Sequence, residues 1–199
     1  MMSTAFAQSV DEPFAKIVPS AVIEYRDAPT QAELEMETQV VVLGTGNPNP
    51  DAYKVAVTEI EAGVVFTKDD LVIEAFDVLH GEVKPAFGYR ITTDDKTIVI
   101  SGDTAISEEL LEKSRGVDLL FHEVISDSGL AGNTEFWQRY HKSYHTLASE
   151  LGRLASEAQP GLLVLYHGLF YGVPEAVVVD EVKANYDGKV VLANDLDVF

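Results

Sequence analysis

Hydrophobic and polar positions change rhythm twice along the chain. Residues 1 to 37 are mixed and interrupted by Pro13, Pro19 and Pro29, a pattern that predicts an irregular lead-in. A continuous apolar run, "TQVVVLGTG" from Thr38 to Gly46, then predicts a first strand. The following "NPNPD" forbids an immediate helix, because Pro48 and Pro50 remove donors and fix the turn. From Tyr53 the β-favouring runs "KVAVTEI", "GVVF", "LVIEAFDVLH", "AFGYRITT" and "TIVISG" follow closely, the last two joined by a polar Asp94-Asp95-Lys96 turn. They read as antiparallel neighbours. Beyond Ser101 the pattern predicts helix 107–114, strand 117–124, helix 146–158, strand 161–167, helix 174–186 and strand 189–193. In the middle helix Leu147, Leu151, Leu154, Ala155 and Ala158 fall at helical spacing, with Thr146 as its expected N-cap and Pro160 as its stop. A meander followed by β/α alternation predicts a layered α/β domain over residues 38–199.

Composition narrows what such a domain can do. There is no cysteine, so any metal must be held by His, Asp or Glu. The net charge of −19 and the lack of a basic cluster give the expectation that nucleic acid is disfavoured as a partner. No run approaches the roughly 18 apolar residues of a membrane helix, so no membrane-spanning helix is expected. Near the start, Ala5-Phe6-Ala7 before Gln8 is similar to the cleavage end of an export signal, without that signal's charged and long apolar parts. This sets export slightly ahead of a cytoplasmic location. Gly44-x-Gly46 is a weak dinucleotide signal, weakened further by the missing helix.

The chemistry concentrates where strands run out. "EAFDVLH" ends on His80, "TIVISGD" on Asp103, "VDLLFHE" on His122, "GLLVLYH" on His167 and "KVVLAND" on Asn194-Asp195. Loops beyond strand ends are where α/β sheets place reacting groups, since the sheet fixes positions and the loop faces the ligand. One polar residue at a strand end means little, because every chain must leave its core somewhere. Three of the chain's five histidines at such ends, with an aspartate in a glycine-flanked turn, point to a site. His145, just before the middle helix, is a fourth candidate, and Glu123 is placed to orient an imidazole. His141 is expected to face solvent, and Trp137, Tyr140 and Tyr144 to pack under their loop.

The segments "VVVLGTG", "FDVLHG…AFGYR", "VISGDT", "LLFHEV", "SYHT" and "LLVLYH" together resemble the metallo-β-lactamase fold superfamily, in its ribonuclease Z and arylsulfatase-like branch. The resemblance implies an αββα sandwich and hydrolysis of an ester, phosphodiester or sulfate ester through metal-activated water. It implies metal-ligand roles for His80, Asp103 and His167, with Asp103 as a carboxylate between two zinc ions. It implies that His145 acts as proton donor or transition-state stabiliser, with His122 and Glu123 supporting it.

The same comparison exposes a departure. The family's His-x-His-x-Asp-His motif, expected between the opening strand and Tyr53, is missing, and no histidine precedes His80. The step across residues 51–53 therefore resembles an internal deletion, leaving an incomplete sandwich. The expectation is at most one ion where the family holds two, zinc by lineage, with iron or manganese compatible with the same donors. Activity is expected to be impaired and its substrate a small-molecule ester. The competing expectation is a catalytically silent relative serving as a binding or assembly module, whose exposed apolar faces favour homo-oligomers.

Overall fold

A computed structural model describes residues 59–199, and no helix among them is long and apolar enough to cross a membrane. The lead-in, the Thr38–Gly46 run, the step across 51–53 and most of "KVAVTEI" lie outside the described residues. The described chain forms a seven-stranded sheet whose spatial order follows the sequence: β1 (Gly63–Lys68), β2 (Leu71–Asp77), β3 (Phe87–Thr92), β4 (Thr97–Ile100), β5 (Leu119–Ile125), β6 (Leu162–Leu169) and β7 (Val190–Leu192). The first four strands pair antiparallel, and β4 to β7 pair parallel. Short turns suffice for the meander, whereas each parallel step needs a crossover, and here each crossover carries helix. These helices are α1 (Glu108–Ser114), then α2 (Asp127–Ala131), α3 (Glu135–Tyr144) and α4 (Ala148–Ala158), and finally α5 (Glu175–Lys183).

Side-chain alternation along the central strands divides the core between the two faces of the sheet. On one face Val99, Leu120, Val124, Leu163 and Leu165 pack against Leu110 of α1, Leu151, Leu154 and Ala155 of α4, and Val178 and Val182 of α5. The other face gathers Ile98, Leu119, Phe121, Val164 and Ala193, with Phe199 folded back against them. β5 lies between two parallel neighbours and is buried along its whole length, as strands covered on both faces are. The result is a mixed α/β sheet of the expected class.

Three local expectations change. Thr146 does not cap α4: the N-cap position is Leu147 and accepts no side-chain bond, while the buried Thr146 hydroxyl donates to the Thr104 carbonyl at 2.6 Å. α2 and α3 occupy a stretch where no helix was expected, each opened by a hydroxyl cap, Ser126 and Thr134. Trp137 and Tyr140 are not packed under a loop. They lie on α3, which buries no residue, and are 46% and 41% exposed.

Candidate metal centre

The site is assembled around one buried carboxylate. Glu123, fully buried in β5, accepts the Thr146 amide at 2.7 Å and the Thr104 amide at 3.4 Å through Oε1. Thr104 in turn accepts the Leu79 amide on its hydroxyl, and Ala105 bridges to Leu79 through the backbone. These bonds tie together the loop after β2, the loop after β4 and the corner between α3 and α4. Those are the segments that carry His80, Asp103 and His145.

Glu123 uses its second oxygen on the site itself. Oε2 lies 3.5 Å from Nδ1 of His145, an ion-pair approach rather than a hydrogen bond, which favours a proton on that nitrogen. Burial of the imidazole disfavours its charge, but the Glu123 carboxylate and Asp103 outweigh this and hold the His145 pKa above its ordinary value. His145 has an extended backbone, since it caps the end of α3 and α4 begins three residues later. Its neighbour Thr146 is held by β5, through a bond from the Ile125 amide to the Thr146 carbonyl.

His167 arrives by a different device. Register shifts between β5 and β6 at Glu123/Val124, so Tyr166 pairs with Glu123 and Gly168 with Val124, and His167 is the unpaired residue of a bulge. Its φ of 45° is in the left-handed region that non-glycine residues seldom occupy. Bulges next to reacting groups re-aim a side chain, and this one brings Nε2 of His167 to 3.5 Å from Oδ2 of Asp103. Gly102, at φ 63°, makes the turn that delivers Asp103; a β-carbon there would press on the Phe87 carbonyl.

Asp103, His145 and His167 therefore converge, each offering one donor atom within 4.8 Å of the others. The sequence had grouped His80 with Asp103 and His167, and read His145 as a proton carrier. In the structure His80 stands one ring further out, 5.6 Å centroid to centroid from His145, with its Nδ1–H donated to the Tyr144 carbonyl at 2.9 Å. Its Nε2 is thereby left as the acceptor atom. His122 is not brought to the cluster. It lies inside β5 rather than at its end, fully buried, with Nδ1–H donated to the Glu123 carbonyl at 2.6 Å; burial lowers its pKa and keeps it neutral. His141 bonds the Tyr171 hydroxyl through Nε2 at 2.8 Å, and its pKa is lowered by burial and by the nearby His145.

Beside the cluster, a cleft of about 360 Å³ opens along the ends of β6 and β7, lined by Tyr166, His167, Phe170, Glu175, Asn194 and Asp195 among others. Burial pushes the Tyr166 phenol up to about 12, so it remains protonated at neutral pH.

The donor set fits a divalent ion. Zinc takes imidazole and carboxylate donors at about 2.0–2.2 Å, which in a tetrahedron sit about 3.3–3.6 Å apart, and the His167–Asp103 pair stands at 3.5 Å. The carboxylate behind His145 is the partner that metal-binding histidines commonly have.

A carboxylate from the turn after β4, an imidazole from the corner between α3 and α4 and another from the bulge in β6 thus meet in one ion-sized space. The family model of the beta-lactamase superfamily domain matches residues 19–168, and the chain belongs to the metallo-β-lactamase superfamily. Ribonuclease Z of Mycobacterium tuberculosis strain H37Rv is 31% identical over 116 residues, covering 57% of this chain and 41% of the relative. Ribonuclease Z of Bacillus subtilis strain 168 is 26% identical over 168 residues, covering 58% of this chain and 51% of the relative. The chain spans about half the length of the curated relatives it matches. Among solved structures, the metallo-β-lactamase fold protein YhfI of Bacillus subtilis superposes with a TM-score of 0.56 at 24% identity, over 67% of this chain and 51% of that one.

These relatives correct one expectation. Nucleic acid had been disfavoured from the charge total, yet the relatives are ribonucleases by name, enzymes that act on a nucleic acid. The physical reason is range. A net charge sums the whole surface, whereas a phosphate at a site responds to charges within a screening length of about 8 Å.

Proposed function

We propose that this chain hydrolyses phosphodiester bonds at a single divalent ion held by Asp103, His145 and His167. The observation that carries the reading is the convergence of those three donors within 4.8 Å. Relationship to proteins named ribonuclease Z supports the phosphodiester as the bond cleaved. Zinc is the ion proposed first, because two imidazoles and one carboxylate leave a fourth position open. When bound, such an ion supplies Lewis acidity and brings the pKa of a water molecule toward neutrality.

The chain's own residues do the rest. Glu123 stands 3.5 Å from Nδ1 of His145 and favours a proton on that nitrogen, which leaves Nε2 for the ion. The His167 bulge and the Gly102 turn hold imidazole and carboxylate rigidly, which limits reorganisation when charge develops. His80, with Nδ1–H committed to Tyr144, presents Nε2 at the rim, where it can accept or return a proton.

Metal content and turnover test this together. The purified chain is expected to bind one equivalent of zinc and to cleave bis(4-nitrophenyl) phosphate. Asp103→Ala, His145→Ala and His167→Ala should each lose the ion, while His80→Ala should keep it and lose turnover. Loss of the ion in His80→Ala but not in His145→Ala would restore the grouping read from the sequence. A chain that binds no ion and turns over no diester would sink the hydrolase reading and favour a silent binding module.

A further inference from the structure

α3 buries no residue, yet it delivers His145, one of the three proposed ligands. A helix without a packed face draws its stability from its ends and from bonds along its length. At its C-terminal end Tyr144 serves: its carbonyl receives the Nδ1–H of His80 at 2.9 Å, and its ring closes on Gly81, where a β-carbon would overlap it. One turn earlier His141 reaches out to a different segment, the turn after β6. There its Nε2 stands 2.8 Å from the Tyr171 hydroxyl, and the two rings meet edge to face at 5.3 Å.

Position gives this bond its meaning. His141 precedes His145 by one turn of helix, and Tyr171 follows His167 by four residues. The rings of His141, His145 and His167 stand in series, 5.9 Å and 6.0 Å between centroids. The bond therefore closes a circuit that runs from one ligand imidazole to the other through space and returns through α3, His141, Tyr171 and the turn. Glu123 ties the α3–α4 corner to β5 from the buried side. The Tyr171 bond ties α3 to the end of β6 from the side that water reaches.

Two local costs accompany the bond. Tyr171 has a φ of 49°, in the left-handed region, although the next residue is a glycine, at φ 85°. Nδ1 of His141 is buried without a hydrogen-bond partner, a demand that a ring turned to solvent would meet. Neither residue is held where its own stability would put it, and such strain persists only where the surroundings over-determine it.

We infer that the hydrogen bond between Tyr171 and His141 is a clasp that sets the spacing of the two imidazole ligands. Tyr171 and His141 are positioning residues, acting on the ion only through His167 and His145. The inference rests on the reading of Asp103, His145 and His167 as a metal centre, while the clasp itself belongs to the metal-free chain.

The experiment makes two measurements on the full chain: zinc affinity by competition with a chromophoric chelator, and amide hydrogen exchange in EDTA, read by mass spectrometry. Tyr171→Phe removes one hydroxyl from a residue 38% exposed and should melt with the parent. It should weaken zinc binding by about tenfold, the lower end for partners that orient ligands. It should also speed exchange across α3 while β5 keeps the parent's rate. His141→Ala should match it, and the double variant should bind no more weakly than either single one, because one bond can be lost only once. His141→Gln, whose side-chain amide reaches the place of Nε2, should recover most of the affinity.

Parent affinity in Tyr171→Phe, additive losses in the double variant, or unchanged exchange over α3 would each overturn the clasp. The metal centre fails on a different result. If the parent binds no zinc, that reading goes, and exchange in the metal-free variants decides the clasp alone: faster exchange over α3 keeps it, and the parent's rate removes it.

Discussion

Glu181 shows how a side chain that looks ordinary in sequence can organise the chain where it leaves β5. From α5 its carboxylate accepts the Asp127 amide, the Ser128 amide and the Ser128 and Ser126 hydroxyls, so it closes the open N-terminus of α2. Asp127 repeats the device one step on, accepting the Ser149 amide at 2.8 Å and the Ser149 hydroxyl at 2.7 Å in the first turn of α4. Partial burial works against charge on Glu181, but the donors of Ser128, Asp127 and Ser126 outweigh it and depress the pKa. A depressed folded-state pKa contributes stability above the unfolded value, roughly 4.3, and loses it as pH falls through the folded value. Glu181→Gln should therefore cost about 1 kcal/mol at pH 7, discounted for the solvent the group still sees, because an amide N–H₂ would confront donors. Urea unfolding of parent and variant at pH 7 and pH 3 checks this. The difference between them should shrink at the acid pH, and a constant difference would refute the charge argument.

Elements were legible in proportion to how far their pattern came from burial. The meander and the β/α alternation stood out because β5 and its neighbours are apolar on both faces, and α4 repeats leucine and alanine at helical spacing. α3 was missed because it packs nothing: Phe136, Trp137, Tyr140 and Tyr144 do recur at helical intervals, with Thr134 as cap, but rings read as core when core is expected. Strand ends were read short for the same reason that makes them useful, since His122 and His167 continue β5 and β6 instead of ending them. Where α4 meets α5, pattern and packing disagree outright. Gly152 is in the middle of α4, where alanine would gain about 1 kcal/mol of helix propensity. A β-carbon there would run into the Val182 carbonyl of α5, which is backbone and cannot rotate aside. Overpacking of this kind costs about 1–3 kcal/mol, and parting the helices would disturb Leu151 and Val178 as well. Gly152→Ala should lower the melting temperature in calorimetry, and a rise would mean that the two helices part without cost.

Across the molecule, the three proposed ligands belong to segments remote in sequence: a turn after β4, the corner between α3 and α4, and a bulge in β6. Asp103 and His167 were legible from the strand-end pattern and His145 from its place before α4, but their grouping was not. Neither the bulge at His167 nor the Glu123 support of His145 leaves any mark in local periodicity. An ion bound there would cross-link β4, β6 and the α3–α4 corner, and would act only on the folded chain. Mass action then gives about 2.7 kcal/mol at a free ion concentration one hundred times Kd, or very roughly 5–10 °C in Tm for a domain of this size. The charge of −19 offers a competing route to the same observable, because any cation screens self-repulsion and stabilises an acidic protein. Variants separate the two. Sodium chloride should raise the Tm of parent and His167→Ala alike, by screening, whereas micromolar zinc should raise the parent and leave His167→Ala unmoved. Equal shifts with zinc would mean that the ion is read by the acidic surface in general, and that Asp103, His145 and His167 are neighbours without being ligands.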